Sequence, residues 1–313
     1  MHSRPISPSL ARVARHGAAV LALSAAALAG HAQTVFSAAG ASQSSIQTSV
    51  DSFRTALGTL NANNGSSFNS GRREINWDGV PDSASDPNAF PGDFFGQAFT
   101  GANGGRARGI QFSTPTGGFL NSANVPGPVS SRSLFNVQLA NSGISLTPFS
   151  GDQVFIAQNS TITDVTFTVA GTSSSAAFVR GFGAVFLDVE TTNATFFEFF
   201  NTSGASLGTF SAPVSGAGGF SFLGVAFDNA TAIGRVRITS GSEALGAFAD
   251  GSNLRQTTGD FVAMDDFIYS EPISVSAVPE PSTYAAIFGA LALTGVMVQR
   301  RRRAAAATPP AQG

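Results

Sequence analysis

The sequence predicts an all-β protein. The expected body is a single jelly-roll-like antiparallel β-sandwich with one short N-terminal helix, set between two chain ends of different character. Three observations carry this. Val165, Phe167 and Val169 alternate with Asp164, Thr166 and Thr168, and Val236 and Ile238 alternate with Arg235, Arg237 and Thr239. That is the period of a strand with one apolar and one polar face. Further apolar runs recur about every 10 residues between Gly, Ser and Asn turns, the rhythm of an antiparallel sandwich. The chain has 28 Phe against 2 Tyr and 1 Trp, a choice that fills a core and does not line a wet surface.

Residues 1–32 read as a secretory signal peptide. Arg4, Arg12 and Arg15 form a basic leader, and an Ala/Leu run follows from Ala18 to Ala29. The run is too short to span a bilayer. Gly30-His31-Ala32 then offers small residues to signal peptidase. Cleavage between Ala32 and Gln33 is expected, with cleavage after Ala29 as the alternative.

The body is expected at 33–277, outside the cell. Gln33 to Ile46 is Ala/Ser/Gln-rich and reads as a loose lead-in. Val50, Phe53, Leu57 and Leu60 recur at helical spacing, so a helix is predicted at about 49–60, with Thr48 and Asp51 near a capping box. Asn61 to Asn69 is loop. Between Asp86 and Gly127 few strands are clear, and Phe94, Phe95, Phe99, Ile110, Phe112 and Phe119 read as core pegs between turns. Further strands are predicted at Phe182–Glu190, Thr195–Phe200, Ser206–Phe210, Phe220–Asp228 and Phe261–Tyr269, with a hairpin turn at Asn201–Gly204.

Composition narrows the chemistry. All three histidines, His2, His16 and His31, fall in the leader, and the chain has neither Cys nor Lys. His- or Cys-based nucleophile systems, His- or Cys-ligated metals and lysine chemistry therefore have no residues to work with in the body. Carboxylates, Arg, Ser/Thr and Tyr remain, and among cations the oxygen-ligated calcium type. No cofactor is otherwise called for. The body holds 10 Arg against 18 acidic residues, a net −8 without any basic run, which argues against nucleic acid as a partner.

Two clusters are candidate sites. Arg72, Arg73, Glu74, Trp77, Asp78 and Asp82 concentrate charge around the one Trp. They could form a ligand or calcium site through Asp78 and Asp82, or a buried Trp with an ion-pair network. The second is Asp265-Asp266 together with Asp188 and Glu190 on another strand, where paired carboxylates could take calcium. In regular alternation Asp265 and Asp266 would face opposite ways. A glycosidase carboxylate pair is a third possibility, although only Trp77 and Tyr269 could serve as aromatic sugar platforms.

The last segment is the most specific. Val278-Pro279-Glu280-Pro281-Ser282-Thr283 is followed by an apolar stretch from Tyr284 to Val298 and then by Arg300, Arg301, Arg302 and Arg303. A helix at about 283–299 would cover roughly 25 Å, short for a bilayer but sufficient with thinning. The arginines would stay in the cytoplasm, with 304–313 as a short disordered cytoplasmic tail. This order resembles the PEP-CTERM sorting signal of Gram-negative bacteria, over residues 278–303. The resemblance implies that a membrane-embedded exosortase reads Pro279, Glu280 and Pro281 and cleaves there. The protein would then be anchored transiently in the inner membrane and afterwards released or held at the cell surface, often beside exopolysaccharide. The expected function is a non-catalytic exported surface or matrix protein. The alternatives are a carbohydrate- or calcium-binding module, with polysaccharide as partner, and a carboxylate-dependent glycoside hydrolase.

Overall fold

The computed structural model describes residues 32–123, 146–246, 259–275 and 281–306. Residues 1–31, with most of the expected signal peptide, lie outside the described residues, as do Pro279 and Glu280.

Fourteen described strands and two α-helices follow one another: β1 (Gln33–Gly40), α1 (Gln43–Leu57), β2 (Arg72–Ile75), β3 (Ile110–Ser113), β4 (Phe119–Asn121), β5 (Phe155–Ala157), β6 (Ile162–Phe167), β7 (Ala177–Phe178), β8 (Gly181–Leu187), β9 (Phe196–Asn201), β10 (Ser206–Ser211), β11 (Phe220–Phe227), β12 (Ile233–Thr239), β13 (Ala263–Ser270), β14 (Ile273–Ser274) and α2 (Pro281–Ala306). The all-β class is as predicted. Two antiparallel sheets form a sandwich. The first runs β1-β11-β8-β13-β5-β4, with β2 also paired to β13; the second runs β10-β9-β12-β6-β3. From β5 onward the chain passes back and forth between the sheets, with β5, β8, β11 and β13 in the first and β6, β9, β10 and β12 in the second. The small ribbon β14-β7 stands apart.

The main core lies between the sheets. Phe182, Ala184 and Phe186 of β8, Leu223 and Val225 of β11 and Phe267 and Tyr269 of β13 meet Phe197 and Phe199 of β9, Val236 and Ile238 of β12 and Val165 and Phe167 of β6. Strands of the second sheet alternate because their outer face is wet. β8 does not alternate: all seven of its residues are buried. Its other face, through Val185 and Leu187, joins a second core with Ile46, Val50 and Phe53 of α1. A central strand covered on both faces reads as a continuous apolar run.

α1 begins six residues earlier than predicted. Ile46, Val50 and Phe53 are its buried residues, four and three apart. Gly58, at φ 93°, ends it by giving its N–H to the carbonyls of Arg54 and Thr55. Leu60 continues the spacing in sequence, yet lies outside the helix, about half exposed. Thr48 and Asp51 fall mid-helix, where Asp51 accepts from Gln47 Nε2 at 2.9 Å. The expected loose lead-in is likewise corrected: Gln33–Gly40 pairs with β11 residue for residue, from Gln33 opposite Phe227 to Gly40 opposite Phe220.

Phe53 fits a notch made by two glycines. Gly183 of β8 and Gly224 of β11 are register partners. A Cβ at Gly183 would come within 2.8 Å of Phe53 Cε1, and one at Gly224 within 2.8 Å of Phe53 Cγ. The glycines let the ring lie directly on the sheet backbone. Full burial of such a ring stabilises by about 2–3 kcal/mol.

α2 is longer than the predicted 283–299, starting at Pro281 and taking in the arginine cluster and part of the expected tail. Among the described residues no helix is long and apolar enough to cross a membrane; the side chains of 281–287 and 301–306 lie outside them.

Candidate functional site

The strongest polar site is built on an irregularity in β13. Met264 stands opposite Phe186 and Phe267 opposite Ala184. Asp265 and Asp266 together therefore face the single residue Val185, which is a β-bulge. The bulge overturns the expectation that the two carboxylates point opposite ways, because both reach the segment after Leu146. Asp265 Oδ2 accepts from the Phe149 N–H at 2.6 Å and the Ser150 N–H at 3.4 Å, and Oδ1 accepts from the Asp266 N–H at 2.8 Å. Asp266 Oδ1 accepts from the Ser150 hydroxyl, and Oδ2 pairs with Arg54 Nη2 at 3.2 Å. Arg54, from α1, also holds Glu74 of β2 at 2.9 Å, and Glu74 takes Arg72 Nε at 2.7 Å. Burial, reinforced by the neighbouring Asp266 charge, holds the Asp265 carboxyl well above the usual range despite its three N–H donors. Asp266 is raised by burial too, against the pull of Ser150 and Arg54.

These groups border a cleft of about 310 Å³ lined by Arg54, Leu60, Asn63, Glu74, Asn76, Arg108, Ser150 and Asp266. Both oxygens of Asp266 and both of Glu74 already have partners within the wall.

Asp188 belongs elsewhere. Leu187 pairs with Ala263, so Asp188 lies beyond that pair, toward Asp260 and away from the bulge. Its φ of 73° is left-handed, and its carboxylate accepts from the Gly218 N–H. Burial pushes its pKa up to about 6, with Glu190 and Asp260 adding to the effect. Asp260 accepts from the N–H groups of Glu190 and Thr191. The structure thus separates Asp188 from Asp265 and Asp266.

Asp78 and Asp82 do not share a ligand position either. Asp78 Oδ1 accepts from the N–H groups of Asp152 and Gln153 at 2.7 and 3.3 Å, and burial raises its pKa. Gly151, at φ 54°, lets the carboxylate approach the loop backbone closely. Asp82, itself exposed, opens a 3-10 turn, Asp82–Ala84, whose last residue is buried. Among the described residues no three of His, Cys, Asp and Glu come together to hold a metal.

Trp77 has the alternative role the sequence allowed. It is 1% exposed and stacks on Phe155 at 4.1 Å and 3°, with Phe90, Phe95, Phe112 and Phe267 around its edges. Its left-handed φ of 67° turns the indole inward, a conformation that bulky residues adopt only when packing holds it. Tyr269 is fully buried, with its hydroxyl on the Arg108 carbonyl at 3.1 Å. Neither aromatic is available as a sugar platform. Arg73 is 0% exposed and paired to Glu271 at 2.7 Å.

Three participants escaped sequence reasoning. Ser150 sits in a Gly-Asp loop with no motif. Arg54 lies between Phe53 and the half-buried Leu57 on the helix and reads as an ordinary surface charge. The third, a group of buried amide side chains around Asn121 and Gln153, gives no periodic signal. No protein-family model matches the chain, and neither a curated protein nor a solved structure matches it.

Proposed function

We propose that this chain is an exported, non-catalytic surface or extracellular-matrix protein, whose jelly-roll body is delivered by an N-terminal signal peptide and sorted by a PEP-CTERM-like tail. One observation carries the reading: the folded body fits between the two expected processing points. β1 begins at Gln33, the first residue after the expected signal-peptidase cut, and β14 ends at Ser274, four residues before Val278. Cutting at both places removes no described strand. Among the described residues, cleavage after Ala32 takes away one backbone hydrogen bond, from Asp228 N–H to the Ala32 carbonyl.

Strand order supports the jelly roll. Eight strands, β5, β6 and β8–β13, give the sheet orders β5-β13-β8-β11 and β6-β12-β9-β10. That is the arrangement of two interlocked Greek keys. In this reading Pro279, Glu280 and Pro281 are read by an exosortase. The helix that follows holds the chain transiently in the inner membrane, and Arg300 to Arg303 stay on the cytoplasmic side. The body then reaches the cell surface or the polysaccharide matrix. The test is intact-mass measurement of the protein from matched Gram-negative hosts with and without an exosortase. The expected mature species starts at Gln33 and ends near Pro279–Pro281 only when the exosortase is present. An extracellular species that retains Arg300 to Arg303 sinks the proposal.

A further inference from the structure

Edge strands offer unpaired backbone groups to any other chain, and most edges of the two sheets are closed. At β4 the Phe119 carbonyl accepts from the Phe90 N–H at 2.9 Å, and at β3 the Phe112 N–H donates to the Gly92 carbonyl at 2.8 Å. At β2 the Arg72 N–H donates to the Thr59 carbonyl at 2.8 Å, and the Arg72 carbonyl accepts from the Asn61 N–H at 2.9 Å. β10 is broken by a bulge between Ser206 and Gly208, with Gly208 at φ 127°. β1 has none of these guards. It matches eight residues of β11 without a register shift, and Gln-Thr-Val-Phe-Ser-Ala-Ala-Gly carries neither charge nor proline.

The ladder tells which backbone groups of β1 are open. The Asp228 N–H bonds the Ala32 carbonyl, one step beyond the pair Gln33 and Phe227. Antiparallel residues alternate between turning both groups to the partner strand and turning both away. Ala32, Thr34, Phe36, Ala38 and Gly40 therefore face β11, and Gln33, Val35, Ser37 and Ala39 present their N–H and C=O groups outward. Among the described residues no hydrogen bond reaches these outward groups. Helix α1 does not cover them. It packs on one face of the sheet, with Phe53 against Phe36 at 5.4 Å, while Val35, on the opposite face, is 46% exposed.

We propose that β1 pairs with β1 of a second copy of this chain, antiparallel about a two-fold axis through Phe36, so that the two first sheets join edge to edge. This axis sets Val35 opposite Ser37 and Gln33 opposite Ala39, and every outward N–H and C=O of both strands finds a partner. Moving the axis to Val35 or Ser37 leaves Ala39 or Gln33 with no partner in the other β1. Charge favours a second copy. The body carries a net −8, yet β1 brings no acidic residue against its twin. The half-buried Phe36 meets its counterpart at the axis, which extends the Phe36–Phe53 contact from one copy to the next. A foreign strand would gain the same backbone bonds but not this match of length and side chains.

The chain has no Cys, so single introduced ones report the register. Full-length Val35→Cys and Ser37→Cys, both at exposed positions, are oxidised separately and as an equal mixture. In the proposed pairing the Cα atoms of residues 35 and 37 of opposite copies lie about 5.5 Å apart, within reach of a disulfide, whereas like residues lie about 7–8 Å apart. The mixture should give about tenfold more disulfide-linked dimer than either variant alone. No dimer in the mixture overturns the proposal, and so does equal linking of either variant with itself. Hydrogen exchange of the wild-type chain gives a second reading that needs no variant. The amides of Val35 and Ser37 should be protected at high concentration and lose that protection on dilution, while Thr34, Phe36 and Ala38 stay protected by β11. Fast exchange at Val35 and Ser37 at every concentration overturns the proposal.

Discussion

Replacing Glu271 by Gln should destabilise the body by about 3 kcal/mol, and the structure says why. Glu271 is 1% exposed and accepts Arg73 Nε at 2.7 Å, Arg73 Nη2 at 2.9 Å, Asn61 Nδ2 at 2.9 Å and the Phe68 N–H at 3.1 Å. Gln keeps the shape but turns one acceptor into a donor facing other donors, and it removes the negative charge that, among the described residues, is paired with the 0%-exposed Arg73. Breaking a buried pair from one side costs about 3–5 kcal/mol, and the low end applies because Arg73 retains the Ser66 carbonyl at 2.6 Å. For a body of this size that lowers Tm by roughly 6–12 °C. Urea unfolding followed by circular dichroism should show a lower midpoint with an unchanged slope, and 1 M salt should not mask the loss, because a buried pair is poorly screened. The double variant Arg73→Met/Glu271→Leu should recover most of it. A loss below about 1 kcal/mol, or a double variant as weak as both single changes combined, would refute the reasoning.

Three further outcomes are expected. Trp77→Ala should cost about 3–5 kcal/mol by leaving a large cavity among five Phe rings, and wild-type Trp fluorescence should be blue-shifted and resistant to quenchers; a red emission maximum in the folded chain would contradict the burial. Stability should fall as pH rises from about 4 to 6, because burial lifts Asp188 to about 6 and also raises Asp265, so the folded state holds protons that the unfolded chain has released. Asp188 accounts for at most about 3 kcal/mol of that fall. At still lower pH stability should drop again: although burial works against it, hydrogen bonds from Arg237 and Arg235 keep Asp164 below its ordinary pKa, and that stabilisation is lost as pH falls through the lowered value. Denaturant midpoints at stepped pH check both limbs, and Asp188→Asn should flatten the upper one. Finally, Gly183→Ala should cost about 1–3 kcal/mol by pressing a methyl group into the Phe53 ring, whereas the same change in Phe53→Ala, where the ring is absent, should cost much less; equal costs in the two backgrounds would argue against the notch.

What was legible in the sequence follows from how each element is buried. β6 and β12 show clean alternation because one face is core and the other water. β8 is legible as an apolar run because both its faces are covered. β1 was not legible, since in Gln-Thr-Val-Phe-Ser-Ala-Ala-Gly the apolar residues come in adjacent pairs and do not alternate; it is a strand because eight residues of β11 lie ready to pair with it. The helix start was missed because the turn before Ile46 is Gln and Ser, and its end was overshot because Leu60 keeps the spacing after Gly58 has already turned the chain. The Asp265–Asp266 cluster was visible as a pair of acids in an apolar strand. The bulge that turns them to one side was not, because it depends on β8 supplying one residue against two. The Arg54, Ser150 and Asp266 contacts join residues more than 90 positions apart, a distance no local pattern encodes.

The Gly183–Gly224 notch bears on the proposed processing of the N-terminus. A chain end cut by a protease frays unless something nearby ties it down. The notch exists only when β8 and β11 are paired in register, and its occupant, Phe53, is reached from β1 after a two-residue link and most of one helix. If Gln33 becomes the first residue, the new end is clamped twice. Along its length it is laced to β11, and 20 residues later the chain is pinned by an aromatic ring seated across the pair β11–β8. Were the cut made there, the fold would supply its own fastener for the new end.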